Sequence, residues 1–157
     1  DSESIDILIN NAGFLVNRKF WEITQKNIAD MFQVNFFSPA NLIRLLMPAL
    51  LKAEKAHVLN IGSMGGYQGS SKYPGLAYYS ASKAALSVLT ECLAEEYCDS
   101  DVCFNCLALG AVQTEMFSEA FPGAIAPVTA DQMAEYIVNF SKTAHFKLNG
   151  KIVPVTQ

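Results

Sequence analysis

The chain is predicted to fold as an α/β protein around a parallel sheet, and three observations carry that prediction. Short apolar runs rich in β-branched residues occur at Ile5-Asp6-Ile7-Leu8-Ile9, at His57-Val58-Leu59-Asn60-Ile61 and over residues 102–109. Strands covered on both faces of a parallel sheet read this way. Longer stretches with helical spacing lie between them, as parallel crossovers require. Each run also ends abruptly in small or polar residues: Asn10-Asn11-Ala12-Gly13, Gly62-Ser63-Met64-Gly65-Gly66 and Gly110-Ala111-Val112-Gln113-Thr114. In open α/β sheets ligands bind at the carboxyl ends of strands.

Taken in order, the first strand over residues 5–9 delivers its two asparagines and Gly13 to such a crevice. Thr24 is placed to cap a helix whose apolar residues Ile28, Met31, Phe32 and Phe36 recur at steps of three and four. Leu42, Leu45, Leu46 and Leu50 continue the pattern past Pro39. If the helix runs through Pro39, the missing N–H leaves the carbonyl of Asn35 free to hold a water. The second strand, over residues 57–61, leads into Gly62 and Ser63, whose hydroxyl is displayed at the strand's end. The spacings G-x-G-x-x-G and G-x-x-x-x-G-K-[ST] are both absent from the glycines that follow, so they form no phosphate loop. A loop returns to a helix expected over residues 79–97, with Ala81, Ala84 and Ala85 permitting close packing. The third strand covers residues 102–109. Residues 116–128 lack periodicity and are expected to form a mobile covering segment. A last amphipathic helix is expected over 131–142, and a final strand over 151–155, where Pro154 suits a sheet edge.

Composition narrows the functions available. With 157 residues, 51% of them hydrophobic and 17% charged, the chain can bury one core. A formal net charge of −4 provides no basic footprint for nucleic acid. No apolar run approaches the roughly 18 residues of a membrane span, and Asp1-Ser2-Glu3-Ser4 shows no signal peptide. Cys103 and Cys106 have C-x-x-C spacing, but an odd offset on a strand puts the two thiols on opposite faces. Together with Cys92 and Cys98 they read as small apolar filler in a reducing, cytoplasmic compartment, and no metal site is expected. His57 opens its strand far from the ligand end, and His145 has no acidic partner in sequence reach, so no Ser-His-Asp arrangement is expected.

Tyr79 and Lys83 lie four residues apart, which on a helix stacks them on one face. An ammonium within a few Å of a phenol favours phenolate, so the pKa of Tyr79 is expected to fall from about 10 toward working pH. A phenol so tuned exchanges a proton with a substrate hydroxyl or carbonyl.

The ordered set Asn10-Asn11-Ala12-Gly13, Asn35, Ser63, Tyr79-x-x-x-Lys83 and Gly110-x-x-x-Thr114, read from residue 5 to 155, resembles the short-chain dehydrogenase/reductase family in its compact single-domain form. The resemblance implies a Rossmann-like doubly wound parallel sheet, with residues 1–157 as the C-terminal portion of one NAD(P)-binding domain. It implies an oxidoreductase that interconverts an alcohol and a ketone or aldehyde by hydride transfer. Tyr79 would be the acid/base, and Lys83 would lower its pKa while bonding the nicotinamide ribose. Ser63 would orient the substrate oxygen, and Asn35 would hold a water through its main-chain carbonyl. Asn10, Ala12 and Gly13 would line the adenosine side of NAD or NADP; Val112 and Thr114 would meet the nicotinamide carboxamide and the nearby phosphate. Pairing of the helices over 27–51 and 81–93 across a two-fold axis would give a homodimer or homotetramer.

This sequence also differs from the family pattern. Leu109-Gly110 stands where the family carries Pro-Gly, and 16 positions separate Ser63 from Tyr79, a longer loop than the pattern implies. The expected sheet would carry a further β-α-β-α-β part, with its glycine-rich phosphate loop, ahead of residue 5. Without that part the chain alone is expected to bind a dinucleotide weakly. The alternative reading is therefore a non-catalytic half-domain with a structural or oligomerising role. A sugar-nucleotide epimerase or dehydratase using the same Tyr/Lys pair is a lesser possibility, because such enzymes carry a larger C-terminal substrate domain.

Overall fold

The computed structural model describes residues 3–156; Asp1 and Ser2, half of the stretch read for a leader, lie outside the described residues. Four strands form a parallel sheet in the order β1 (Ile7–Asn10), β2 (Ala56–Ser63), β3 (Val102–Leu109), β6 (Lys151–Val155). A two-residue parallel ladder joins β4 (Val112–Gln113) to β5 (Val128–Thr129). The expected strand over 102–109 and the final strand over 151–155 occur with those bounds. Pro154 sits in β6, at an edge of the described sheet, where its missing N–H removes no ladder bond on the outer side.

β2 and β3 are buried along nearly their whole length, as their largely apolar runs require. One face packs Ala56, Val58, Val102 and Phe104 against Ile43, Met47 and Leu50 of α2 (Ser38–Leu50) and Ala94 of α3 (Ala77–Glu96). The opposite face packs Leu59, Ile61 and Leu107 against Ile137 and Phe140 of α5 (Ala130–Thr143). Helices thus cover both faces, and fully burying side chains of this size stabilises the sheet by about 1.5–3 kcal/mol each. β1 differs from expectation. It is an edge of the described sheet, and apart from Asn10 its residues are half-buried or exposed.

Thr24 caps α1 (Gln25–Phe32): its hydroxyl accepts the Asn27 N–H at 3.1 Å. The helix runs on to Leu50 without a break, but through a π-helical segment, Gln33–Phe37, immediately before Pro39. There the Ser38 N–H donates to the Gln33 carbonyl, one residue wider than α-helical spacing. The helix therefore accommodates Pro39 with a widened turn rather than a break between two helices. Segment 116–128 is also more regular than its composition suggests. It contains α4 (Glu115–Ala120), capped by the Thr114 hydroxyl, and Ala126 within it is buried.

The cysteines divide. Cys103 and Cys106 are buried on opposite faces of β3, beside the His145 carbonyl and the Ser87 hydroxyl respectively, whereas Cys92 and Cys98 are exposed and fill no core. His145 is buried in a 3₁₀ turn (Ala144–Phe146). Among the described residues no helix is long and apolar enough to cross a membrane, and no cluster of three or more acidic, cysteine or histidine residues could hold a metal.

Candidate active site

Asn10 and Ser63 stand at the carboxyl ends of β1 and β2, Tyr79 and Lys83 on the first turns of α3, Asn35 in the π-helical segment, and Val112 and Thr114 just beyond β3. Register places Asn10 beside Asn60 and Ser63 beside Leu109, so the strand ends form a common rim. Helix α3 lies close to that rim because Gly66 has no side chain. A Cβ there would stand 2.6 Å from the Ala84 nitrogen and 2.7 Å from the Lys83 carbonyl carbon. The role of this glycine is close approach of loop to helix, which brings Ser63 to Tyr79.

The Gly65 N–H donates to Ser63 Oγ at 3.1 Å. Tyr79 is buried, and burial raises its pKa above the usual 10.0; the nearby Ser63 hydroxyl pulls the other way. The expectation that Lys83 brings this pKa down is therefore not met in the structure. Lys83 has turned elsewhere: its Nζ donates to the Ile61 carbonyl at 2.8 Å. It is 3% exposed, and burial lowers its own pKa to about 8. A neutral phenol and a lysine with a depressed pKa lie side by side on one helix. Their relative proton affinities are set by desolvation more than by mutual attraction.

Asn35 is fully buried in the π-helical segment, and its side chain clamps the strand-end loop. Its Oδ1 accepts the Phe14 N–H at 2.8 Å, and its Nδ2 donates to the Phe14 carbonyl at 2.8 Å and to Ser82 Oγ at 3.0 Å. Ser82 in turn donates to the Tyr79 carbonyl at 2.7 Å. Three chain segments are thus tied at one point, and the widened turn positions the amide that ties them. Sequence reasoning passed over Ser82, whose only signal is a serine three residues after Tyr79.

Asn10 is less available than its position suggested. Its Nδ2 donates to Asn60 Oδ1 at 2.7 Å, and Asn60 Nδ2 donates to Thr90 Oγ1 at 2.9 Å. This buried chain fixes β1 to β2 and α3. A methyl at Gly13 would lie 3.6 Å from Lys83 Nζ, 3.8 Å from Asn35 Oδ1 and 3.9 Å from Met116 Sδ, in ordinary contact. Ala12 is exposed beside Gly13. Val112 pairs with Val128, and Thr114 spends its hydroxyl on the α4 cap; neither is hydrogen-bonded to Tyr79 or Lys83.

A parallel sheet with a Ser–Tyr–Lys constellation at its ligand-binding end defines a dehydrogenase-type α/β domain. The family model described as short chain dehydrogenase matches residues 1–124, and the chain belongs to that family. It is 31% identical over 152 residues to a fatty acyl-CoA reductase of Mycobacterium tuberculosis, covering 94% of this chain and 51% of that protein. It is 29% identical over 112 residues to a 3-oxoacyl-[acyl-carrier-protein] reductase of Vibrio cholerae, covering 71% of this chain and 45% of that one. A short chain dehydrogenase of Escherichia coli CFT073 complexed with NADPH superposes with a TM-score of 0.84 at 28% identity, covering 97% of this chain and 63% of that structure. The chain thus spans about half the length of the curated relatives it matches.

Proposed function

We propose that the protein carrying this chain is an NAD(P)-dependent oxidoreductase that interconverts an alcohol and a ketone or aldehyde, with Tyr79 as general acid/base. The observation that carries the reading is the placement of buried Tyr79 and Lys83 on the first turns of α3, near Ser63 at the carboxyl end of β2. The related structure complexed with NADPH supports the cofactor class. The residues fit a nicotinamide dinucleotide, since Lys83 Nζ stands beside Gly13 and, among the described residues, gives only one of its three N–H bonds, to the Ile61 carbonyl. When bound, that cofactor supplies or accepts the hydride. This chain's residues do the rest.

Asn10, Ala12 and Gly13 would present backbone to the cofactor's adenosine side, and Lys83 would bond its nicotinamide ribose. Val112 and Thr114 would meet the nicotinamide and the adjacent phosphate. Ser63 holds the substrate oxygen, and Tyr79 transfers its proton to or from that oxygen. Pro39 has no N–H to offer the Asn35 carbonyl, which is the acceptor proposed to hold a proton-relaying water. The named relatives act on fatty acyl and 3-oxoacyl groups, and a small acyl-derived carbonyl is the substrate class proposed here.

Tyr79→Phe in the full-length enzyme tests the reading, because it keeps the ring and deletes the hydroxyl. General acid–base catalysis contributes about 10²–10⁴-fold, and turnover is expected to fall by that factor with cofactor binding retained. Near-normal turnover of the variant would refute the assignment.

A further inference from the structure

The loop between Ser63 and the α3 helix carries a hydrogen-bonded chain that ends on the candidate site. Lys72 Nζ donates to the Gly65 carbonyl at 2.9 Å, to the Tyr67 carbonyl at 2.6 Å and to Ser70 Oγ at 2.7 Å. All three N–H bonds of the ammonium are thus placed on one loop. Ser70 Oγ donates onward to the Met64 carbonyl at 2.5 Å. The same peptide, between Met64 and Gly65, points its N–H at Ser63 Oγ, 3.1 Å away. The Ser63 hydroxyl is near enough to Tyr79 to act on it, lowering the phenol's pKa against the effect of burial.

Every link donates in one direction, from Lys72 to Ser63 Oγ. An oxygen that accepts from Gly65 has used one lone pair, and the Ser63 O–H is left to point forward. Bonds with a charged donor are the stronger ones, and successive bonds polarise one another. We infer that Lys72 and Ser70 are positioning residues that hold Ser63 as a hydrogen-bond donor toward Tyr79 and the substrate oxygen. Lys72 itself is exposed, so its charge is screened by solvent; it acts through the bonded loop rather than through its field.

The inference rests on the proposed roles of Ser63 and Tyr79, and its test is independent of turnover. In the full-length protein the Gly65 amide proton reports the bond to Ser63, and a ¹³Cζ-labelled tyrosine spectrum reports Tyr79, identified by the resonance lost in Tyr79→Phe. Lys72→Met and Ser70→Ala are each expected to move the Gly65 amide upfield. The double variant is expected to move it no further than the larger single change, because the two act in series. Lys72→Met is also expected to shift the Tyr79 resonance in the native background and to leave it in place when Ser63 is Ala. An unmoved Gly65 amide in both single variants overturns the inference. So does a Tyr79 response to Lys72→Met that survives Ser63→Ala, since that would be a field effect. Circular dichroism checks the fold, and Ser70→Ala carries the test if Lys72→Met fails to fold. Normal turnover of Tyr79→Phe would defeat the catalytic reading while leaving the spectroscopic result to stand or fall by itself.

Discussion

Lys83 carries a stability cost that its position in a site makes worthwhile. Its ammonium is buried against a single carbonyl, that of Ile61, and its pKa is depressed from 10.5 to about 8 by desolvation. Below pH 8 the folded and unfolded states are both protonated, and the full penalty is present. Between pH 8 and 10.5 the folded state sheds the proton first, so stability rises with pH and the penalty vanishes above that window. A depression of this size corresponds to about 3 kcal/mol at neutral pH. Lys83→Met is therefore expected to stabilise the full-length protein at pH 7 by up to that amount, less about 1 kcal/mol for the lost hydrogen bond. The gain should shrink across pH 8 to 10.5. Urea denaturation at several pH values measures it, and a variant less stable than wild type at pH 7 would contradict the account. Trading stability for a poised group is common at functional sites.

The amino ends of β2 and β3 meet α5 and the 3₁₀ turn through a histidine whose tautomer is dictated by its neighbours. His57 Nδ1 lies 2.8 Å from the Ser141 carbonyl, which can only accept, so Nδ1 carries the proton. Its Nε2 must then accept from Asn105 Nδ2, 3.1 Å away. Asn105 cannot turn over to suit a protonated ring. Its Nδ2 also donates to the Leu148 carbonyl, and its Oδ1 accepts the Lys151 N–H. Protonated His57 would set two donors face to face, beside His145 at a ring separation of 5.1 Å.

Burial holds both imidazoles below the usual 6.5. With folded pKa values depressed, the unfolded chain takes up protons first, and stability falls as pH drops below about 6.5. His57→Leu is expected to lower stability near pH 7 by about 1–3 kcal/mol, because Ser141 and Asn105 each lose a partner. The same variant should flatten the acid limb of the stability–pH curve. Thermal melts from pH 7.5 to 5 decide the matter, and an acid limb as steep as in wild type would reject it.

At the scale of the molecule, the helical layer leaves apolar side chains uncovered. Phe37, Leu42 and Leu45 of the long helical run are 49%, 41% and 64% exposed, and Val88 of α3 is 57% exposed. The pairing of these helices across a two-fold axis is proposed to cover them, since a self-complementary contact buries each residue twice. Leu45→Glu in the full-length protein is expected to shift a dimer or tetramer toward smaller species in sedimentation velocity, with the circular dichroism unchanged. An unaltered assembly would place the contact elsewhere.

What the sequence by itself determined is whatever depends on local periodicity. The strand at Val102 to Leu109, the Thr24 cap and the four-residue spacing of Tyr79 and Lys83 each appear in the fold as read. The small residues Gly13 and Gly66 were also visible, although the atoms they make room for were not. Tertiary structure alone decided where the polar groups of the site point. Lys83 reaches back 22 residues to Ile61 rather than easing Tyr79, and Asn10 spends its amide on Asn60, 50 residues away. The physical reason is that strand and helix periods are set by neighbouring residues. Burial, and with it the pKa of Tyr79 and of Lys83, depends on which distant segments pack over them. Even the π-helical segment at Asn35 follows this rule: a one-residue widening is affordable there because Phe14 and Ser82 together repay the turn with three hydrogen bonds.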